Sequence, residues 1–206
     1  HASSLPRLID LGALVVDLRK SRDFIARHVP RTISIAFNRS FTTWAGWLVP
    51  FDREFYLLTG DPRAEDIEPA VRELRMIGLD RIAGYFGPDA LDHWERSGRP
   101  AAQVEQLSPR EFAQRRDGDG LTLVDVRNRA EWDGGHLPGA IHIPLGYLMD
   151  RVEELPKDRP LVVQCQSGSR SVIGASLLQS LGYSRVLNLT GGLEAWNAEG
   201  LPLMVG

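Results

Sequence analysis

The single cysteine of the chain, Cys165, lies where residue types and spacing favour chemistry on sulfur. The apolar run 161–164 leads straight into it, and a helical pattern begins at about residue 171. The thiol is therefore predicted to lie in a loop that joins a strand to a helix. Successive backbone N–H groups of such a loop, with a helix N-terminus behind them, form an anion-binding concavity and favour a thiolate over a thiol.

The residues that follow Cys165 favour the same negative charge. Gly168 lets the backbone turn inward, and Arg170 adds a fixed positive charge. The three serines of the loop offer short hydroxyl donors to a sulfur anion. A buried core thiol needs none of these groups, so we interpret Cys165 as a reactive nucleophile.

An internal repeat organises the chain. The segment Val15 to Arg19 recurs as Leu123 to Arg127, and His28 to Pro30 recurs as His136 to Pro138, in both cases 108 positions later. The correspondence then drifts, because the first half carries about six extra residues around 41–54. These matches predict a tandem duplication.

Each half alternates short apolar runs with helical patterns, which is typical of an α/β fold in which helices flank a mostly parallel sheet. In the second half the predicted strands are 121–126, 140–143, 161–164 and 186–189, and the predicted helices are 109–114, 129–132, 171–181 and 193–199. Ser108 to Glu111 reads as a capping box at the first of these helices. Gly98 and Pro100 indicate a linker, so we predict two domains, 1–98 and 99–206.

The repeated polar residues are interpreted as structural. His28 and His136 occupy matched positions although only one half has a cysteine, so we expect them to brace the turns before the two prolines. The repeated Asp and Arg residues are predicted to form an internal ion pair that orients the loop in each half: Asp17 with Arg19, and Asp125 with Arg127.

Composition excludes several classes of function. The 206 residues carry a formal charge of −3 with no basic stripe, so nucleic-acid binding is not expected. No apolar run is long enough for a membrane span. The five histidines are scattered, so we predict neither a metal nor a cofactor. A lone cysteine fits a reducing compartment, which favours the cytoplasm.

The first residues, His1 to Ser4, include neither an initiator Met nor a signal sequence. We expect an engineering scar, a processed end or a fragment boundary, which leaves room for a native protein that extends upstream.

Several segments of the second half resemble the rhodanese domain, in order and over about residues 107–202. They are Val124 to Arg127, Glu131 to Trp132, Gly135 to Ala140, Cys165 to Ser171 and Gly191 to Trp196. The resemblance implies a sulfurtransferase whose Cys165 thiolate takes a sulfane sulfur, holds it as a persulfide and passes it to a thiol or cyanide. It also implies that the loop after the cysteine cradles the substrate, namely Gln166, Ser167, Gly168, Ser169, Arg170 and Ser171.

The resemblance leaves the sulfur donor open. Many members of the family that use thiosulfate have a second basic residue in the loop, whereas only Arg170 is charged here. Thiosulfate and a thiol persulfide are both retained as small-molecule donors, with a thiol as acceptor.

The first half resembles the same domain without its nucleophile. The segment Thr59 to Arg63 has no cysteine, and Asp61 would repel an anionic donor, so this half is expected to be inert. Its segment Phe41 to Trp47 resembles the first rhodanese unit of proteins that fuse a metallo-β-lactamase-fold domain to a rhodanese pair. This similarity implies such a domain upstream as a partner.

Two other functions are weighed. One is a sulfur carrier or regulatory interaction module, in which the half without cysteine serves for docking. The other is phosphatase or arsenate reductase chemistry, since related folds hold an oxyanion in a loop from Cys to Arg. Four residues separate Cys165 from Arg170, whereas the phosphatase loop has five, so this chemistry is disfavoured.

Overall fold

The computed structural model describes residues 1–116 and 118–204 and divides into two compact units, His1–Gln103 and Val104–Gly206. The division falls a few residues after the predicted boundary at 98/99. The segment between belongs to the first unit because the backbones of His28 and Ala102 exchange two hydrogen bonds of 2.8 Å. The indole of Trp94 also donates to the carbonyl of Pro100 at 3.0 Å.

The first unit is a parallel four-stranded sheet with helices around it. Its strands are β1 (Leu14–Asp17), β2 (Ile33–Ser34), β3 (Phe55–Leu58) and β4 (Ile82–Phe86), and they pair in the order β2-β1-β3-β4. Its helices are α1 (Leu5–Asp10), α2 (Ser21–Ala26), α3 (Phe41–Leu48), α4 (Ile67–Met76) and α5 (Asp89–Arg96). A short 3₁₀ turn, Ala2–Ser4, precedes α1.

The second unit is a parallel five-stranded sheet. Its strands are β5 (Glu105–Leu107), β6 (Thr122–Asp125), β7 (Ile141–His142), β8 (Leu161–Gln164) and β9 (Val186–Leu189), in the order β5-β9-β8-β6-β7. Its helices are α6 (Pro109–Arg115), α7 (Arg129–Asp133), α8 (Ser169–Ser180) and α9 (Gly192–Ala198), with 3₁₀ turns at Leu145–Tyr147 and Val152–Glu154. Within the described residues, none of the helices has the length and apolarity to cross a bilayer.

Apolar residues of β8 pack against helices on both faces of the sheet. Val162 packs with Phe112 of α6 and Trp196 of α9 on one face. On the other face, α8 approaches so closely that a Cβ on Gly174 would lie 3.2 Å from a methyl group of Val163. Helices on both faces make β8 a central, fully buried strand, as the run of apolar residues predicts.

The predicted capping box at α6 is confirmed. The Ser108 hydroxyl accepts from the backbone N–H of Glu111, and the Glu111 carboxylate accepts from the N–H of Ser108 at 2.9 Å. These bonds satisfy helix N-terminal donors that would otherwise lack partners. Strand β5, just before the cap, was not predicted because only one of its three residues is apolar.

The two sheets place matched residues at matched positions. In the first unit Asp17 of β1 lies beside Leu58 of β3, and in the second Asp125 of β6 lies beside Gln164 of β8. The next residue along is Thr59 in the first unit and Cys165 in the second. Each therefore follows the carboxyl end of a central parallel strand, where α/β sheets bind their ligands.

Candidate active site

Cys165 begins the loop that connects β8 to α8. The loop ends at Gly168, the N-cap of α8, whose φ of +96° is one that residues with a side chain rarely adopt. This turn directs the Gly168 N–H back at the sulfur, and the N–Sγ distance is 3.1 Å. The amide is placed to stabilise negative charge on the sulfur of Cys165.

Ser171, in the first turn of α8, lies on the other side of the sulfur. The Cys165 thiol donates to the Ser171 hydroxyl oxygen over 3.5 Å, and that hydroxyl donates to the Gly168 carbonyl at 3.1 Å. Both residues are fully buried. Because a hydroxyl can rotate, Ser171 can instead donate to a sulfur anion.

The side chains of the other predicted cradle residues lie nearer the surface. Ser167 and Ser169 are exposed and Gln166 is half-buried. None of their side chains has a hydrogen bond to the sulfur among those described for the loop. Since Cys165 has no exposed surface, a donor reaches the sulfur only when side chains over it move.

Arg170 brings its positive charge to the loop as one half of an ion pair. Its two terminal nitrogens donate to the two carboxylate oxygens of Glu131 in α7, at 2.6 and 2.7 Å. This paired hydrogen bonding raises the pKa of Arg170, and the nearby charges of Glu131, Cys165 and Asp125 add to the effect. The fixed positive charge expected of Arg170 is thus held in an ion pair, and the sequence did not reveal its partner.

Glu131 is a site residue that the sequence analysis did not assign. Its carboxylate accepts from Arg170 and also from the Asn128 N–H, while the Asn128 side chain caps the Glu131 N–H at 2.9 Å. The hydrogen bonds from Arg170, and secondarily that from Asn128, hold the pKa of Glu131 below its ordinary value. The available signal was the Asn128-x-x-Glu131 spacing, which predicts a capping box and conceals the second partner.

The predicted ion pair between Asp125 and Arg127 is confirmed. Both side chains are almost completely buried, and the guanidinium binds both carboxylate oxygens at 2.7 to 3.0 Å. Arg127 also donates to the carbonyls of Glu131 and Gly135. The pair therefore ties the end of β6 to the helix that carries Glu131.

Replacing Asp125 with Asn is expected to lower the free energy of unfolding by about 3–5 kcal/mol, because it leaves the Arg127 charge buried without a counterion. Urea denaturation of the variant measures this. Asp133→Asn is the matched control: its pair with Arg129 is exposed, so we expect a change within about 0.5 kcal/mol. Equal losses in the two variants would contradict the structural role given to the buried pair.

The N-terminus of α9 holds the backbone of the loop from outside. The Leu193 N–H donates to the Cys165 carbonyl at 2.9 Å, and the Glu194 N–H donates to the Gln166 carbonyl at 3.0 Å. This approach depends on Gly192, because a Cβ there would lie 2.2 Å from the Cys165 carbonyl oxygen. The resemblance of the segment Gly191 to Trp196 did not reveal this contact.

The matched histidines make the contacts expected of bracing residues. The rings of His28 and His136 stack on Phe24 and Trp132, with centroids 3.8 and 3.6 Å apart. His142, which has no assigned role from the sequence, also stacks on Trp132 at 4.5 Å. Over residues 1–116 and 118–204, no three His, Cys, Asp or Glu side chains group in a way that could hold a metal ion.

Comparison with known proteins places this loop in a family. The rhodanese-like domain model matches residues 108–199, which include the Cys165 loop, Glu131 and Gly192. A protein of Allochromatium vinosum named a sulfurtransferase is 40% identical over 102 residues, which are 49% of this chain and 95% of that protein. This chain belongs to the rhodanese-like family.

Other proteins match a similar share of the chain. The thiosulfate sulfurtransferase GlpE of Pseudomonas syringae is 36% identical over 88 residues, which are 43% of this chain and 83% of GlpE. Among solved structures, a rhodanese-related protein from Thermoplasma volcanium is 25% identical, with a TM-score of 0.47. That likeness covers 50% of this chain and 100% of the other.

The corresponding loop of the first unit forms hydrogen bonds with its own side chains. Thr59, in the position of Cys165, donates to Asp66 at 2.6 Å. The Asp61 carboxylate accepts from the backbone N–H groups of Arg63 and Glu65 at 3.0 and 2.8 Å, and these bonds, that from Arg63 first, lower the pKa of Asp61. The backbone amides of Arg63 and Glu65 thus hold a carboxylate of the same loop.

Proposed function

We propose that this chain is a sulfurtransferase that carries sulfur as a persulfide on Cys165. The observation that carries the proposal is the Gly168 amide directed at Sγ from 3.1 Å, inside a loop at the carboxyl end of a parallel sheet. The Ser171 hydroxyl forms a hydrogen bond with the same sulfur. The names of the sulfurtransferase from A. vinosum and of GlpE support the same reaction class.

In the first half-reaction the Cys165 thiolate attacks the outer sulfur of thiosulfate or of a thiol persulfide. The S–S bond of the donor breaks, a new S–S bond forms on Cys165, and sulfite or a thiol leaves. In the second, a thiol or cyanide takes the outer sulfur and the Cys165 thiolate is restored. The loop amides and the Ser171 hydroxyl accommodate the negative charge that each step places on sulfur.

We also propose that the two units form a tandem pair of rhodanese-like domains, about 1–103 and 104–206, of which only the second is catalytic. Support comes from the repeat at 108 positions and from the order of matched strands, β2-β1-β3-β4 and β7-β6-β8-β9. The internal carboxylate of Asp61 supports an inert first unit.

We also propose an upstream domain and a cellular compartment for this chain. The resemblance of Phe41 to Trp47 to fused rhodanese pairs supports an upstream metallo-β-lactamase-fold domain as partner. The lone free thiol supports a reducing compartment, the cytoplasm.

The test is the intact mass of the full chain after exposure to thiosulfate or to cysteine persulfide. A gain of about 32 Da, one sulfur atom, is expected, and it should disappear on addition of cyanide. A sample whose Cys165 was first alkylated is the control and should gain nothing. If no donor produces the gain, the sulfurtransferase proposal fails and the interaction module replaces it.

A further inference from the structure

The positive charge of Arg170 is already engaged in the resting site. Its two terminal nitrogens meet both oxygens of Glu131, and the two side chains are only 19% and 26% exposed. A bidentate pair of this kind fixes the guanidinium in geometry as well as in charge. The edge of the Arg170 guanidinium that faces Glu131 therefore has no N–H groups free to bind the oxygens of thiosulfate.

The second arginine near the loop is engaged as well. Arg127 is 1% exposed, pairs with Asp125 and also donates to the carbonyls of Glu131 and Gly135. The loop from Cys165 to Ser171 contains no other cationic residue. Negative charge at the sulfur is thus stabilised by amide and hydroxyl dipoles, with both neighbouring guanidinium charges balanced by a carboxylate.

The two donor classes differ in the charge they bring to this site. Thiosulfate carries two negative charges, and its leaving group, sulfite, is a dianion. The sulfur group of a thiol persulfide carries one negative charge or none. Its S–S bond breaks, its outer sulfur joins Cys165, and its inner sulfur leaves as a thiol, with the persulfide's own proton or, from the anionic form, with a proton from water. A site whose two described guanidinium groups are already paired penalises the more highly charged donor.

We infer that Glu131 is a specificity-determining residue that makes this site prefer a thiol persulfide over thiosulfate by holding the charge of Arg170. The inference rests on the proposed sulfur transfer. Glu131 acts through Arg170 and is a positioning residue, because neither of its described partners is the sulfur itself.

The chain contains a matched control for this role. Glu111 and Glu131 are both the third residue of a helix and both complete a capping box, with Ser108 and Asn128 respectively. Only Glu131 also binds Arg170. In Glu111→Gln only a helix cap is weakened. In Glu131→Gln a helix cap is weakened and the guanidinium of Arg170 is released as well.

The experiment measures kcat/KM for thiosulfate and for cysteine persulfide in the full chain and its variants. In Glu131→Gln, the ratio of the thiosulfate value to the persulfide value should rise about tenfold, mainly through a lower KM for thiosulfate, since one charge-assisted contact is worth about that factor. Glu111→Gln should leave the ratio as in the native chain. Adding Arg170→Ala to Glu131→Gln should abolish the gain.

The outcomes separate the two proposals. An unchanged or lower ratio in Glu131→Gln, in a chain that still loads sulfur, overturns the role of Glu131 and leaves sulfur transfer standing. The role of Glu131 is also overturned if the ratio stays raised in the variant that carries both Glu131→Gln and Arg170→Ala. If Glu131→Gln does not fold, Glu131→Asp, whose shorter side chain loosens the pair, should shift the ratio in the same direction. Failure of the native chain to load sulfur from either donor overturns the proposed function and this inference with it.

Discussion

The Gly192→Ala protein is expected to lose about a hundredfold in kcat/KM for sulfur transfer. The new Cβ would lie 2.2 Å from the Cys165 carbonyl oxygen and 2.9 Å from the Gln166 carbonyl oxygen. Ordinary C···O contacts are about 3.3 Å or longer, so the loop or α9 must move by about 1 Å. Both obstructing atoms belong to the backbone and cannot rotate away, and a displacement of that size in a catalytic loop costs about two orders of magnitude.

The control for Gly192→Ala lies at the other end of the same helix. Gly200 follows α9 with a φ of +67°, close to the +57° of Gly192, but a Cβ there would meet no atom within 4 Å. Gly200→Ala therefore carries the same backbone strain without the collision, and we expect it to retain activity. Similar losses in the two variants would mean that strain, and not displacement of the loop, explains the effect.

Replacing Cys165 with Ser should reduce sulfur transfer to background and abolish the gain in mass. The change removes the only thiol of the chain, and the hydroxyl that replaces it is too weakly acidic to attack a sulfane sulfur. The near-isosteric side chain should leave the fold intact, which thermal unfolding checks. Sulfur transfer at the native rate in this variant would remove Cys165 from the mechanism.

A relocated thiol extends this test to the first unit. In the chain that carries both Cys165→Ser and Thr59→Cys, the thiol occupies the matched position of the other sheet. We expect no recovery of transfer, because the Asp61 carboxylate already binds the amides of Arg63 and Glu65. Recovery would show that this loop can still accept a sulfur anion.

The elements of the second unit were largely predictable because local signals agree with the final fold. The run 161–164 is β8 as predicted, and the run 186–189 is β9. Helix α8 begins at Ser169, two residues before the predicted start, because the left-handed conformation of Gly168 caps the helix earlier than the apolar pattern indicates. The paired Asp125 and Arg127 were predictable from their repetition in the first half.

The site was less predictable where its contacts join residues far apart in sequence. Glu131 and Arg170 are separated by 39 positions, and the capping box with Asn128 already accounts for the glutamate locally. The need for Gly192 arises only when α9 meets the Cys165 carbonyl. Neither contact produces a periodic or short-range pattern in the sequence. The sequence therefore shows which residues are present but not which of them contact each other.

Enclosure of the sole thiol also affects how this chain responds to oxidants. A disulfide between two copies requires their Cβ atoms to come within about 3.5–4.5 Å of each other. Cys165 has no exposed surface, so two folded chains cannot reach that separation while their loops are closed. A small persulfide presents its outer sulfur at the end of a slender chain and needs far less opening. The same burial thus blocks covalent dimerisation and limits reaction at Cys165 to molecules narrow enough to enter the loop.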